Sequence, residues 1–307
     1  MNARVLETIK KSAAVPSMPQ VVLRFLEIMQ DPNFDYAELV KVLSTDPGTV
    51  SEILRLANSA LFGIRNKVVS TKQALTLLGP KRTRSLLLGR YLVDSLSKKK
   101  VAGLDMGYFW RRSLSSSVVA SHFADLVLPR QKDEAFIGAL LADIGVPILA
   151  EALPEKYGKI VAGYAPHAGH VTPDQELDAV EVTHAQVSAM VLAHWTLPDT
   201  VTAAVNLHQS AHPGEGAVGV VARILNASGR VAVLLCELPK VEVVAQVCQE
   251  ATAFIGIDPS ALLQLLPTIE ADIEELADAL RIDVVPSHVY TLIARTIQDK
   301  LAPAAAL

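Results

Sequence analysis

Asp143 is the first residue in this sequence that demands a chemical explanation. It sits in the run Phe136-Ile137-Gly138-Ala139-Leu140-Leu141-Ala142-Asp143-Ile144-Gly145. A carboxylate among so many apolar neighbours must be ion-paired, hydrogen-bonded or bound to a metal. The histidines that could join it are His122, His167, His170, His184, His194, His208, His212 and His288. His208 and His212 stand four apart, so one helix face would present both. A pair alone is a poor metal site, because a working one needs more ligands and a supporting shell. A second polar cluster is Arg55-Leu56-Ala57-Asn58-Ser59-Ala60-Leu61-Phe62-Gly63. Asn58 and Ser59 favour caps and turns. The stretch reads either as a helix terminus that ties down the following loop or as a recognition surface.

Other motifs point away from familiar chemistry. Gly214-Glu215-Gly216-Ala217-Val218-Gly219 spells G-x-G-x-x-G, but the dinucleotide fingerprint needs a strand before it. A helix is expected there instead, so the segment reads as an interhelix loop opening a helix. No Walker A, H-E-x-x-H or G-x-S-x-G sequence occurs, which removes the most recognisable routes to nucleotide hydrolysis, zinc proteolysis and acyl transfer.

The elements that must position these residues are helical. Ser17 with Gln20, Asp35 with Glu38, and Ser70 with Gln73 have capping-box spacing ahead of apolar runs. Asp46-Pro47 reads as an N-cap followed by proline at the first helical position. Gly79-Pro80 should stop a helix, and a long one should run through Leu86–Leu96. Further helices are expected near 107–127, 134–145, 153–164, 184–195, 199–209, 217–236, 240–255, 260–280 and 286–301. Residues 231–236 could form a buried strand, but their flanks favour helix. The result is an all-α protein of multi-helix bundles. Its expected parts are an N-terminal bundle over 1–100, a second over 101–212, and a helical extension over 213–307.

Composition narrows the function. Half of the 307 residues are hydrophobic and 20% are charged, which excludes intrinsic disorder. A formal charge of −4 lacks the basic excess of a duplex-binding protein, so nucleic acid is not an expected partner. Two cysteines, Cys236 and Cys248, exclude a disulfide framework and a Cys-rich zinc site. The first residues carry no signal-peptide core. No charge-free run of about 18 apolar residues suggests a membrane span. A cytoplasmic protein is expected.

Residues 10–212 resemble the HDOD family, the HD-related output domain of bacterial signalling proteins. The resemblance rests on Pro16-Ser17-Met18-Pro19-Gln20-Val21, Asp46-Pro47, Arg55 through Gly63, and Ser70 through Gly79. It continues through Phe109-Trp110-Arg111-Arg112-Ser113, Ala139 through Gly145, Glu181-Val182-Thr183-His184-Ala185, Trp195-Thr196-Leu197-Pro198 and His208. The family's second half is similar to HD-domain metal phosphohydrolases, which use a His, a His-Asp pair and a later Asp to hold metal. Here Arg112 stands where a His is common, and Ala142 stands at the His of the pair. Asp143, His184 and His208 remain.

The resemblance therefore implies an HD-like fold with a vestigial cleft around Arg112, Asp143, His184 and His208, and no catalytic residue, metal or cofactor. A methyl group cannot ligate a metal, and a guanidinium repels a divalent ion while it can pair with Asp143. The expected function is a non-catalytic signalling module. It would bind a protein partner or a small ligand such as a nucleotide, with Arg55, Asn58, Ser59, Phe62 and Gly63 as candidate interaction residues. The alternative is a phosphohydrolase acting on a nucleotide or cyclic dinucleotide, with Asp178, Glu181 or His212 completing a rearranged metal site. A pure interaction scaffold, dimerising through the Ala-rich surface of 217–307, is the third reading.

Overall fold

The computed structural model describes residues 3–31, 33–62, 67–168, 171–237, 239–280 and 288–301. Among these residues there are helices and no strand, so the all-α expectation holds. The first helix is α1 (Ala3–Lys10). Four more follow: α2 (Gln20–Ile28), α3 (Tyr36–Leu43), α4 (Pro47–Asn58) and α5 (Thr71–Ser97). The remainder are α6 (Met106–Val127), α7 (Lys132–Leu141), α8 (Gly145–Ala152), α9 (Pro154–Tyr157), α10 (Pro173–Val180) and α11 (His184–His194). The last five are α12 (Asp199–Leu207), α13 (Gly216–Cys236), α14 (Val241–Ile255), α15 (Pro259–Leu280) and α16 (His288–Lys300).

The chain forms two compact units, one from residues 16–100 and 278–280 and the other from residues 3–15, 101–277 and 288–301. In the smaller unit, α2 to α5 bury Phe25, Leu39, Leu43, Leu75, Leu88 and Leu92 completely. Asp46 caps α4 through the amides of Gly48 and Thr49, and Asp35 caps α3. Ser70 caps α5, but Gln73 returns its side chain to the Val69 amide. The expected Ser17–Gln20 box does not form; α2 starts after Pro19 without a side-chain cap. Ser17 as N-cap would require Met18 to be helical, and the proline after it disfavours that. Gly79-Pro80 ends one helical run, as expected, and a second begins directly after it within α5. Gly79 takes φ 76° and ψ 161°, and Pro80 then suits the start of a second helical run.

In the larger unit, α6 is the central helix, packed against α7 and α13. The helix α13 also packs on α7, α12, α14 and α16, and α1 packs on α8 and α11. Residues beyond 212, expected as a separate extension, thus share a core with α6. Val118, Val119, Phe123, Val221, Ile224 and Val231 lie in it with no exposure. The helix α6 is enclosed on every face from Ser113 to Ala124, its serines included. Residues 231–236 are helical. The segment 153–164 is not one helix but α9 and a 3-10 turn, Val161–Tyr164.

Two segments, Pro129–Ala152 and Gly216–Cys236, are long and apolar enough to cross a membrane by length and composition, contrary to the expectation from sequence. In the structure 83% and 61% of their windows are buried, so packing inside the unit uses that apolarity. The loop at Gly214–Gly219 is the expected interhelix connection. Gly214 and Gly216 have φ of 86° and 73°, and a Cβ on Gly219 would stand 2.2 Å from the Gly214 carbonyl oxygen.

Candidate functional site

Asp143 lies in the turn between α7 and α8, not inside a helix as its apolar run suggests. The turn is clamped to the start of α11. Gly145 lies so close that a Cβ would stand 2.1 Å from the His184 carbonyl oxygen, and its amide donates to Ser188 Oγ at 2.8 Å. On the other side, Thr183 and Gln186 form a capping box that makes His184 the first residue of α11. His208 caps the end of α12, and Arg112 projects from α6.

These placements bring together the four residues expected at the cleft. Arg112 Nη2 donates to Asp143 Oδ2 in an ion pair. Asp143 Oδ1 lies 3.3 Å from His184 Nε2 and 3.4 Å from His208 Nε2. Nδ1 of His208 lies 2.7 Å from the Val205 carbonyl oxygen. That contact makes Nδ1 the donor and leaves Nε2 facing the carboxylate.

Behind His184 stands Glu176, fully buried, which the sequence did not single out. It accepts from Tyr157 Oη at 2.5 Å, Tyr164 Oη at 3.0 Å and the His184 amide at 2.9 Å, and lies 2.9 Å from His184 Nδ1. The Thr172–Gln175 capping box fixes Glu176 in the first turn of α10, but that pattern does not mark it as buried. Asp178, Glu181 and His212, the expected additional ligands, are not in the group of His, Cys, Asp and Glu that converges at Asp143. His212 lies exposed in the loop after α12, because that helix ends at Leu207 and cannot carry both histidines on one face.

The buried charges compensate one another. Burial alone would raise the Asp143 carboxyl, but Arg112, His184 and His208 beside it hold it well below the ordinary carboxylate range. Burial would lower His184, yet the carboxylates of Glu176 and Asp143 raise it to about 9. Glu176 is likewise lowered, its burial outweighed mainly by His184. Burial pushes the Tyr164 hydroxyl well above its usual value.

Asp143, His184 and His208 offer ligand atoms within 4.8 Å of one another. Two imidazoles and a carboxylate suit a transition ion. The wider set does not. Ala142 supplies no donor, and a permanent cation already holds the other oxygen of Asp143. The full arrangement fits an ion pair better than a divalent metal.

Around these residues lies a cleft of about 420 Å³. One side is formed by α6, the α7–α8 turn and the starts of α10 and α11. The other is formed by Asn226, Arg230 and Val233 of α13 with Val243, Val247 and Glu250 of α14. Arg230 pairs with Glu250 at 3.2 Å.

The second cluster, in the smaller unit, has a structural occupation. Asn58 donates to the carbonyls of Leu54 and Val68 and accepts from the Val68 amide at 2.7 Å. Ser59 is buried and accepts from the Leu61 amide. Arg55 is exposed. Gly63 and the Phe62 side chain lie outside the described residues, as does His170.

Comparison with known proteins gives the following. The HDOD domain profile matches residues 15–211. An uncharacterized protein of Treponema pallidum (strain Nichols) is 23% identical over 203 residues, 64% of this chain. This chain spans 38% of that relative's length. A protein of Shewanella amazonensis SB2B, provisionally named a phosphohydrolase, superposes with a TM-score of 0.70 at 21% identity, over 91% of this chain and 98% of its own. An HDOD domain protein of unknown function from Geobacter sulfurreducens gives 0.65 at 18% identity, over 90% and 98%. At these identities the likeness to solved structures is one of fold.

Proposed function

Because this chain belongs to the HDOD domain family, we propose that it is a non-catalytic bacterial signalling module that receives a small ligand or a protein partner and acts in the cytoplasm. The observation that carries this reading is the Arg112–Asp143 ion pair. The carboxylate that a metal enzyme would use already has a counter-charge. The cation belongs to the protein itself and cannot activate water as a Lewis acid does. Glu176 and His184 then serve to hold the cleft's shape, since each satisfies a buried charge on the other.

A second reading is a metal-dependent phosphohydrolase. It is favoured by the convergence of Asp143, His184 and His208, and it requires Arg112 to leave the carboxylate.

Metal content of the purified full chain separates the two readings, measured together with turnover of bis(4-nitrophenyl) phosphate in added Mn²⁺. The expected result is metal far below one equivalent and turnover no greater than that of Asp143→Ala. One equivalent of metal that disappears in Asp143→Ala, with turnover lost alongside, would make the enzyme reading correct.

A further inference from the structure

The geometry points to a binding subsite in the cleft for an uncharged small molecule that donates N–H hydrogen bonds, with one wall supplied by helices beyond the family match. The inference rests on the non-catalytic reading of that cleft. Two buried side-chain oxygens lining it have no hydrogen-bond partner: Oε1 of Gln209 and Oδ1 of Asn226. Unpartnered buried acceptors are costly and rare, so two in one cavity mark a place where donors arrive from outside the chain. The orientation of Asn226 is fixed, because its Nδ2 donates to the His208 carbonyl oxygen at 2.8 Å. Its oxygen is therefore left as an acceptor.

Charge selects among donors. Arg112 is paired with Asp143, Arg230 with Glu250, and His184 with Glu176. The cleft thus has no surplus cation to hold a phosphate group, and no surplus carboxylate to hold an ammonium. What remains is amide acceptors beside apolar surface, together with His184 Nε2, which has no hydrogen-bond partner but faces Asp143 Oδ1 at 3.3 Å. Val233, Val243 and Val247 supply that surface, and Val243 is 45% exposed. A volume of about 420 Å³ suits a compact organic molecule. The fitting class is a carboxamide or lactam on an apolar or aromatic body. Asn226 and the three valines lie beyond residue 211, where the family match ends. Ligand choice is thereby shared: α13 and α14 supply one acceptor and the apolar surface, and the family core supplies the other acceptor, Gln209, and the opposite wall.

Three probes of one shape test this: benzamide, benzoate and methyl benzoate. Only benzamide donates N–H bonds, and only benzoate is charged. Binding to the metal-free full chain is followed by two-dimensional NMR titration. Benzamide should bind about tenfold tighter than either of the others, the value of one added buried hydrogen bond. Gln209→Met removes an acceptor at similar size and should reduce that preference to about threefold or less. Val247→Arg, which places a cation in the wall, should weaken benzamide and favour benzoate. Tighter binding of benzoate by the unaltered chain, equal binding of all three, or no binding at about 10 mM, a concentration fragments of this size reach, would each overturn the assignment. So would a preference unchanged by both substitutions. The wild-type ranking decides the matter even if a variant fails to fold. A metal-loaded protein that turns over phosphodiester would be a different failure, that of the non-catalytic reading itself.

Discussion

At the scale of residues, the site is a chain of compensated charges: Arg112, Asp143, His184 and Glu176. Removing one member leaves its neighbour unpaired in a poorly solvated place. Arg112→Ala should destabilise the protein by about 2–4 kcal/mol. Asp143→Ala should cost a similar amount, and the double variant less than the sum of the two. Denaturant unfolding of the four proteins gives the coupling directly. The pH dependence follows from the same chain. His184 is raised from 6.5 to about 9, so its contribution to stability is complete below about pH 6.5 and is lost as pH rises through 9. Asp143 and Glu176 are lowered from 3.8 and 4.5, so their contribution is present above those values and is lost as the solution is acidified through their lower folded-state values. The melting temperature should therefore peak between about pH 5 and 6.5 and fall on the alkaline side. His184→Gln should flatten the alkaline limb. Sequence made Asp143 legible because a carboxylate in an apolar run stands out in one dimension, whereas Arg112, His184 and His208 were legible only through the resemblance to the HDOD family. Glu176 was not legible. An acidic residue in the first turn of a polar helix looks like any dipole-favouring surface carboxylate, and only the fold shows that two tyrosines and His184 enclose it.

At the scale of elements, the site depends on how tightly α8 and α11 approach. Gly145→Ala would drive a Cβ into the His184 carbonyl and should cost about 2–4 kcal/mol. Gly229, in the middle of α13, is the contrasting position. Its Cβ would meet only Ser116 Oγ, at 4.0 Å. Gly229→Ala should stabilise by about 0.5–1 kcal/mol through helix propensity. Chemical denaturation of this pair separates close approach from backbone entropy. Helix positions were readable from apolar spacing and from caps such as Asp46 and Ser70. Breaks inside apolar runs were not. The turn at 142–144 carries Ala, Asp and Ile, of which only Asp favours a turn, and the apolar run around it masks that signal. The turn exists because Gly145 must meet the start of α11, a contact from some 40 residues further along the chain.

At the scale of the whole molecule, the boundary expected at 212 does not separate two cores. Ser116 Oγ and Ser228 Oγ lie 3.1 Å apart across α6 and α13, and both helices bury long apolar faces there. A chain ending at residue 212 would leave the side of α6 that faces α13 uncovered. It should lose cooperative thermal unfolding and bind hydrophobic dye, while a fragment of residues 16–100 should keep its helical circular dichroism. Sequence suggested the boundary because family resemblance stops there, but a family's limit and a core's limit are different quantities.

The small helix α1 has a consequence in time. It is translated before residues 16–100, yet its partners α8 and α11 follow more than 130 residues later. At roughly 5–20 residues per second, α1 waits about 7 to 27 seconds for α8 alone while the smaller unit has time to fold. A strongly apolar segment would aggregate in that interval. Among the residues of α1, Ile9 alone is buried in the finished protein, so the segment that waits has little to protect. Folding of the larger unit is thus paced by the ribosome as well as by its own packing.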